Sequence, residues 1–200
     1  MIILLRHGQT EWNREGRTQG RSDSPLTDLG KAQAQAMAEA ARLLVSELPT
    51  PRLVSSPQGR ALATARIVAA RLGLPPDIET DDRLMEQSFG AWEGLLSMDT
   101  YEKLRDVAPH RRWFHAPGGE TVEDIQRRAQ SWLDDHRALE RPLIAVSHGI
   151  TGKIIRGLYA GLSTEEMLRR YSPQDAVFRL EGGRVKKIRC PPTALKIVSE

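Results

Sequence analysis

Three short apolar runs limit what this chain can fold into. Ile2-Ile3-Leu4-Leu5, Arg52-Leu53-Val54-Ser55 and Leu143-Ile144-Ala145-Val146-Ser147 are too short to make the buried face of a helix and are rich in aliphatic, partly β-branched residues. Each reads as a buried strand. Helical patterns alternate with them. Thr27 opens a helix in which Met37, Ala40, Leu44 and Leu48 recur to give one apolar face, and Pro49 and Pro51 end it. Ser56-Pro57 reads as a helix start, with the serine as cap and the proline at the first position; Leu62, Ala65, Ala69 and Leu72 supply its apolar face, and Gly73 and Pro75 stop it. Thr121 and Asp124 have capping-box spacing ahead of Val122, Ile125, Ala129, Trp132 and Leu133. A helix over 151–159 follows the third strand, a short helix near 163–171 comes next, and 177–180 and 185–188 flank Glu181-Gly182-Gly183 as a hairpin.

Alternation of this kind implies an α/β domain. The expected architecture is a three-layer sandwich: a mostly parallel central sheet flanked by helices. No repeat or linker divides the chain, so residues 1–200 read as one domain. Residues 8–24 read as a long polar loop, a length that in a compact domain usually signals function. Residues 90–120, punctuated by Pro109, Pro117, Gly118 and Gly119, read as a small insertion over the site, with a short helix over 97–107.

Composition excludes several classes. With 40% apolar and 28% charged residues the chain is neither disordered nor fibrous. Its longest apolar runs fall far short of the ~20 residues of a membrane span. The start lacks the cationic and apolar pattern of a secretory signal, and the single cysteine, Cys190, rules out a disulfide framework and a cysteine zinc site. The chain therefore reads as cytoplasmic. The net charge of +3 comes from arginines scattered among carboxylates, with no basic run beyond two residues. A nucleic-acid binder should show a basic stripe, so the charge suits a small anionic ligand instead.

The chemistry lies where the strands stop. The first strand runs into Arg6-His7-Gly8, the second into Ser55-Ser56-Pro57 with Arg60 close behind, the third into Ser147-His148-Gly149. Ligands of open α/β sheets bind beyond the carboxyl ends of strands, so these residues should converge. A lone arginine or histidine there is most often an ion-pair partner or a packed structural residue. The conjunction is harder to obtain from packing, because charged groups directly after apolar strands need a partner to offset desolvation. Two imidazoles, two guanidiniums and helix N-termini suit a tetrahedral dianion. No HExxH or EF-hand pattern occurs, and Gly152-Lys153 lacks P-loop spacing, so neither a metal nor a cofactor is expected.

These motifs, in order, resemble the histidine phosphatase superfamily, the group that includes the cofactor-dependent phosphoglycerate mutases. Leu5-Arg6-His7-Gly8-Gln9-Thr10-Glu11-Trp12-Asn13 is similar to its signature, and Ser24-Pro25-Leu26-Thr27-Asp28-Leu29-Gly30 to the segment that follows. Ser55-Ser56-Pro57 with Arg60, Ser147-His148-Gly149, and Glu86 in Leu84-Met85-Glu86-Gln87-Ser88 resemble its other site segments. The likeness runs from residue 2 to about residue 160. Gln9-Thr10 departs from the Arg-x-Pro continuation of the acid phosphatase and phytase branch.

The resemblance implies that His7 is the nucleophile and becomes a phosphohistidine. It implies that Arg6, Arg60 and His148 hold the non-bridging oxygens, with Asn13 as a neutral donor, and that Glu86 is general acid and then general base. Burial would raise the pKa of such an acid and nearby arginines would lower it. Gln19, Gly20 and Gly149 are further candidates for substrate contact. Trp92, Arg111, Arg112, Trp113 and His115 are candidates to line the mouth, while His110 and His136 read as solvated. The segment Phe89-Gly90-Ala91-Trp92-Glu93-Gly94 looks like the phosphatase-type members, and the insertion before His148 is short for a mutase. The expected activity is a metal-independent phosphomonoesterase acting on a small phosphorylated metabolite. A phosphoglycerate mutase is the first alternative and a catalytically silent phosphate-binding module the second. No sequence feature sets the oligomeric state, and an oligomer stays open.

Overall fold

The computed structural model describes residues 1–102 and 104–191; residues 192–200 of the expected domain lie outside the described residues. In chain order the elements are β1 (Ile2–Arg6), α1 (Glu11–Glu15), α2 (Asp28–Val45), β2 (Arg52–Ser55), α3 (Gly59–Leu72), β3 (Glu79–Thr80), α4 (Ser97–Glu102), α5 (Val122–Asp135), β4 (Leu143–Ser147), α6 (Gly149–Tyr159), α7 (Thr164–Arg169), β5 (Ala176–Glu181) and β6 (Arg184–Arg189). Short 3-10 turns occupy Asp82–Leu84, Gly90–Trp92 and Pro109–His115.

The strands form one six-stranded sheet in the order β3-β2-β4-β1-β5-β6. β3, β2, β4 and β1 run parallel; β5 and β6 are the antiparallel hairpin expected from Gly182-Gly183. Side chains alternate along each strand, which separates two cores. Ile3, Leu5, Ile144 and Val146 pack with Met37, Ala40, Ala41, Ala61, Ala65 and Val68 of α2 and α3. Ile2, Leu4, Leu143 and Ala145 pack on the other face with Ile125, Trp132, Ile154 and Ile155 of α5 and α6. The alanine-rich faces of α2 and α3 let those helices lie close to each other and to the sheet.

Register fixes the functional end. Arg6 pairs with Ser147 and Ser55 with Val146. The next residues continue the ladder: His7 N–H donates to Ser147 O at 3.0 Å and Ser56 N–H to Val146 O at 2.9 Å. His7, Ser56 and His148 therefore stand side by side beyond the carboxyl ends of the inner strands β1, β2 and β4.

Some local readings needed correction. The 8–24 stretch is not all loop, because Thr10 caps the short helix α1 through a capping box with Asn13. α2 ends at Val45, leaving Leu48 44% exposed rather than on the buried face. α3 starts at Gly59 behind Gln58, so Ser56 is not its cap. The Arg60 amide is satisfied instead by the Asp23 carboxylate, at 3.2 Å, from a distant loop. Only 97–102 of the expected 97–107 helix forms as α4, and residue 103 lies outside the described residues. His136 is not simply solvated: its Nδ1 bonds Trp132 O at 2.7 Å. His110 pairs with Glu165 at 2.5 Å. No helix among the described residues is long and apolar enough to cross a membrane.

Candidate active site

A pocket of about 400 Å3 opens over the carboxyl ends of β1, β2 and β4. Arg6, His7, Asn13, Gln19, Gly20, Arg60, Glu86 and Gly149 all line it. His148 stands directly behind His7, with ring centroids 5.1 Å apart, and is 1% exposed.

His7 is placed by two contacts. Gly8 follows it at a point where the backbone must pass against α2: a Cβ on Gly8 would sit 2.2 Å from Gly30 O. The turn brings Gly8 O to 2.8 Å from His7 Nδ1, and Arg60 Nε lies 3.3 Å from His7 Nε2. A carbonyl can only accept and a guanidinium can only donate. The proton therefore resides on Nδ1, and the lone pair on Nε2 faces the arginine. Burial, then Arg60, then Arg6 hold the pKa of His7 well below the ordinary imidazole value, so the ring is neutral at pH 7. His148 is neutral for similar reasons, burial first and Arg60 next. Its Nε2 lies 2.8 Å from Ser56 Oγ, while its buried Nδ1 has no partner among the described residues.

Arg60 is 1% exposed and held on three sides. Nη1 donates to Ser22 O at 2.7 Å and to Asp23 Oδ1 at 3.0 Å, and Nη2 donates to Gly20 O at 2.8 Å. Gly20 has φ +58°, a left-handed conformation that turns its carbonyl toward the guanidinium. Arg6 is fixed from the other end of the chain, where Nη1 donates to Ser172 O at 2.6 Å, and its buried Nε has no partner among the described residues. Asn13 Oδ1 accepts from Thr10 N and from Gln174 Nε2, which leaves the Asn13 NH2 group toward the pocket.

Glu86 is buried at the N-terminus of α6. Its Oε1 accepts from Gln87 N at 3.1 Å and Thr151 N at 3.0 Å and shares the Ile150 N–H with Oε2, while the Thr151 hydroxyl donates to Met85 O at 2.7 Å. Its Oε2 accepts one, from Ile150 N at 3.1 Å, and lies on the Gly149 and Arg6 side. Oε2 thus keeps lone-pair capacity facing the pocket. Gln58 ties the parts together: its Oε1 accepts from Glu86 N and its Nε2 donates to Gly20 O, both at 2.7 Å.

Of the residues expected at the mouth, Trp113 lines the pocket. Trp92 packs partly buried against the core, Arg111 pairs with Glu165, Arg112 bonds the Val107 carbonyl and His115 is exposed on the surface. The structure adds Arg17, Phe89, Lys153, Arg170, Tyr171 and Ser172 to the lining. Lys153 had a signal, since it lies one turn beyond Gly149 on the helix leaving a site strand. Ser172 and Gln174 sit in a connection with no local pattern, and Asp23 resembles any loop carboxylate. Among the described residues no group of three or more His, Cys, Asp or Glu side chains gathers as a metal site.

The buried cationic cradle around a neutral imidazole agrees with comparison to known proteins. The chain belongs to the histidine phosphatase superfamily (branch 1), whose family model matches residues 2–187. It is 41% identical over 138 residues to the bifunctional protein Rv2228c of Mycobacterium tuberculosis, covering 66% of this chain but 36% of that protein, so it spans about a third of that relative's length. It is 39% identical over 159 residues to a Proteus mirabilis protein named "probable phosphoglycerate mutase GpmB", covering 74% of this chain and 69% of that one. Among solved structures, mycobacterial glucosyl-3-phosphoglycerate phosphatase Rv2419c in complex with VO3 superposes with a TM-score of 0.73 at 28% identity, covering 89% of this chain and 90% of that one.

Proposed function

We propose that the protein hydrolyses a phosphate monoester of a small metabolite through a phosphohistidine on His7, without a metal. The observation that carries this reading is the His7 tautomer. Nδ1 is capped by Gly8 O, which leaves the lone pair on Nε2, 3.3 Å from Arg60 Nε, beside a pocket lined by the buried Arg60 and the partly buried Arg6. Such a nitrogen attacks without prior deprotonation.

In the first step His7 Nε2 forms a bond to phosphorus as the bond to the ester oxygen breaks. The proton on the Glu86 carboxyl passes to that oxygen, and the alcohol leaves. In the second step the Glu86 carboxylate takes a proton from water as the water oxygen attacks phosphorus. The P–N bond breaks, inorganic phosphate leaves, and His7 returns to its neutral form. Arg6, Arg60, His148 Nδ1 and the Asn13 amide offer donors to the non-bridging oxygens, where phosphoryl transfer depends on positioning and charge stabilisation. That the mycobacterial phosphatase of similar fold was solved with VO3, a phosphate-like oxyanion, supports a phosphate-type ligand.

Hydrolysis of p-nitrophenyl phosphate with EDTA present tests the reading. Turnover should persist in EDTA and fall at least about 10³-fold in His7→Ala. Loss of activity on chelation, or an active His7→Ala protein, overturns it. The mutase name of the Proteus relative motivates a second arm. Isomerisation of 3-phosphoglycerate dependent on 2,3-bisphosphoglycerate, outpacing phosphate release, would replace hydrolysis with mutase chemistry.

A further inference from the structure

A second cavity, of about 250 Å3, lies behind the wall of the first. Arg170 and Tyr171 line both, so one short segment separates them. The floor of the second cavity is apolar, from Leu162, Phe178 and Val185, and its charged lining is Arg156, Arg170 and Lys187. No Asp or Glu among the described residues lines it.

Arg156 is the unusual member. It is 6% exposed and lies over the Phe178 ring at 3.8 Å. It donates to Gly152 O, Tyr171 O and Ser172 Oγ, all neutral acceptors, and forms no ion pair among the described residues. Burial, then Arg170 and Arg6, pull its pKa down to about 10. A purely structural arginine with this burial is usually matched by a carboxylate, since an uncompensated buried charge is costly. Here the neighbouring charges, Arg170 and Lys187, add to the positive potential.

The geometry points to a second ligand site, for a small organic anion whose carboxylate or phosphate-type head meets Arg156, Arg170 and Lys187 while an apolar or planar body rests on Leu162, Phe178 and Val185. This site is separate from the catalytic pocket but joined to it by one residue. Ser172 Oγ accepts from Arg156 at 2.7 Å, while Ser172 O accepts from Arg6 at 2.6 Å. An anion that draws on Arg156 therefore acts on the residue that holds Arg6.

Isothermal titration calorimetry with phenylphosphonate, which cannot be hydrolysed as an ester, and with benzoate provides the test. At least one probe should bind wild-type protein at a site that survives Arg60→Ala and weakens at least about tenfold in Lys187→Glu. Inorganic phosphate, lacking the apolar body, should bind there at least about tenfold more weakly than phenylphosphonate. Lys187 is on the exposed strand β6, away from the catalytic pocket, so Lys187→Glu should keep wild-type turnover of p-nitrophenyl phosphate, which reports that the fold is intact. Only one phenylphosphonate site, abolished by Arg60→Ala, together with no benzoate site, overturns the inference. So does a second site that Lys187→Glu leaves unchanged.

Discussion

Replacing Glu86 by glutamine separates its two oxygens. Three backbone N–H groups bond the carboxylate: Gln87 N and Thr151 N reach Oε1 alone, and Ile150 N is shared between Oε1 and Oε2. A glutamine with its oxygen in the Oε1 position keeps the Gln87 and Thr151 amides and sets its NH2 group against the Ile150 amide. The cost is about one hydrogen bond, ~1–1.5 kcal/mol, a fall in melting temperature of roughly 2–6 °C for a chain of this size. The chemical loss is larger, because no proton can be given or taken, and such catalysis typically contributes about 10²–10⁴ in rate. It should differ between substrates. p-Nitrophenolate is a good leaving group and needs little help, so His7 is still phosphorylated and the slowed second step traps it. Rapid mixing should then show a burst of about one p-nitrophenolate per chain, followed by slow turnover. With glycerol 3-phosphate the alkoxide needs the proton, so the first step slows and no phosphohistidine accumulates. Equal slowing on both substrates with no burst refutes the assignment of Glu86, and wild-type rates refute it outright.

Stability should depend on pH through the buried imidazoles. The pKa values of His7 and His148 are depressed in the folded state, so below the unfolded value of about 6.5 the unfolded chain binds more protons. Stability is therefore full above that value and is lost as pH falls below it, by up to ~1.4 kcal/mol per unit for each ring. The lowered carboxylates Glu93 and Glu120 add a loss only below about pH 4.5, a separate window. Thermal melts between about pH 7.5 and 5.5 should show the decline, and a flat profile would mean that the rings protonate without penalty. Gly30→Ala would place its Cβ 2.0 Å from Gln9 O. It should cost about 1–3 kcal/mol by overpacking and cut turnover by displacing His7. Gly161→Ala, at φ +66° but with open space around it, should cost about 1 kcal/mol and leave turnover unchanged. Melting curves paired with p-nitrophenyl phosphate rates distinguish the two.

The sheet and its functional end were legible because short apolar strands and strand-end motifs are local. Leu143 to Ser147 can be little else, and once β1, β2 and β4 are parallel, register alone aligns His7, Ser56 and His148. What the sequence does not show is how each charge is held. Arg60 is fixed by Ser22, Asp23 and Gly20, and Arg6 by Ser172, across separations of 37 to 166 residues. None of these partners has a periodicity or spacing that sets it apart from an ordinary loop residue. The same reason explains the misplaced start of α3: Ser56-Pro57 satisfies local capping preference, yet Ser56 is drawn to His148 and a remote carboxylate does the capping. Local propensity yields when a tertiary partner offers a charge-assisted bond to the same amide. Asp23 therefore serves two ends at once, capping the helix that carries Arg60 and neutralising part of the charge that Arg60 brings into the core. In this molecule His7 and His148 come from strand ends, and the orientation of Arg6 and Arg60 comes from loops that only the folded chain brings into reach.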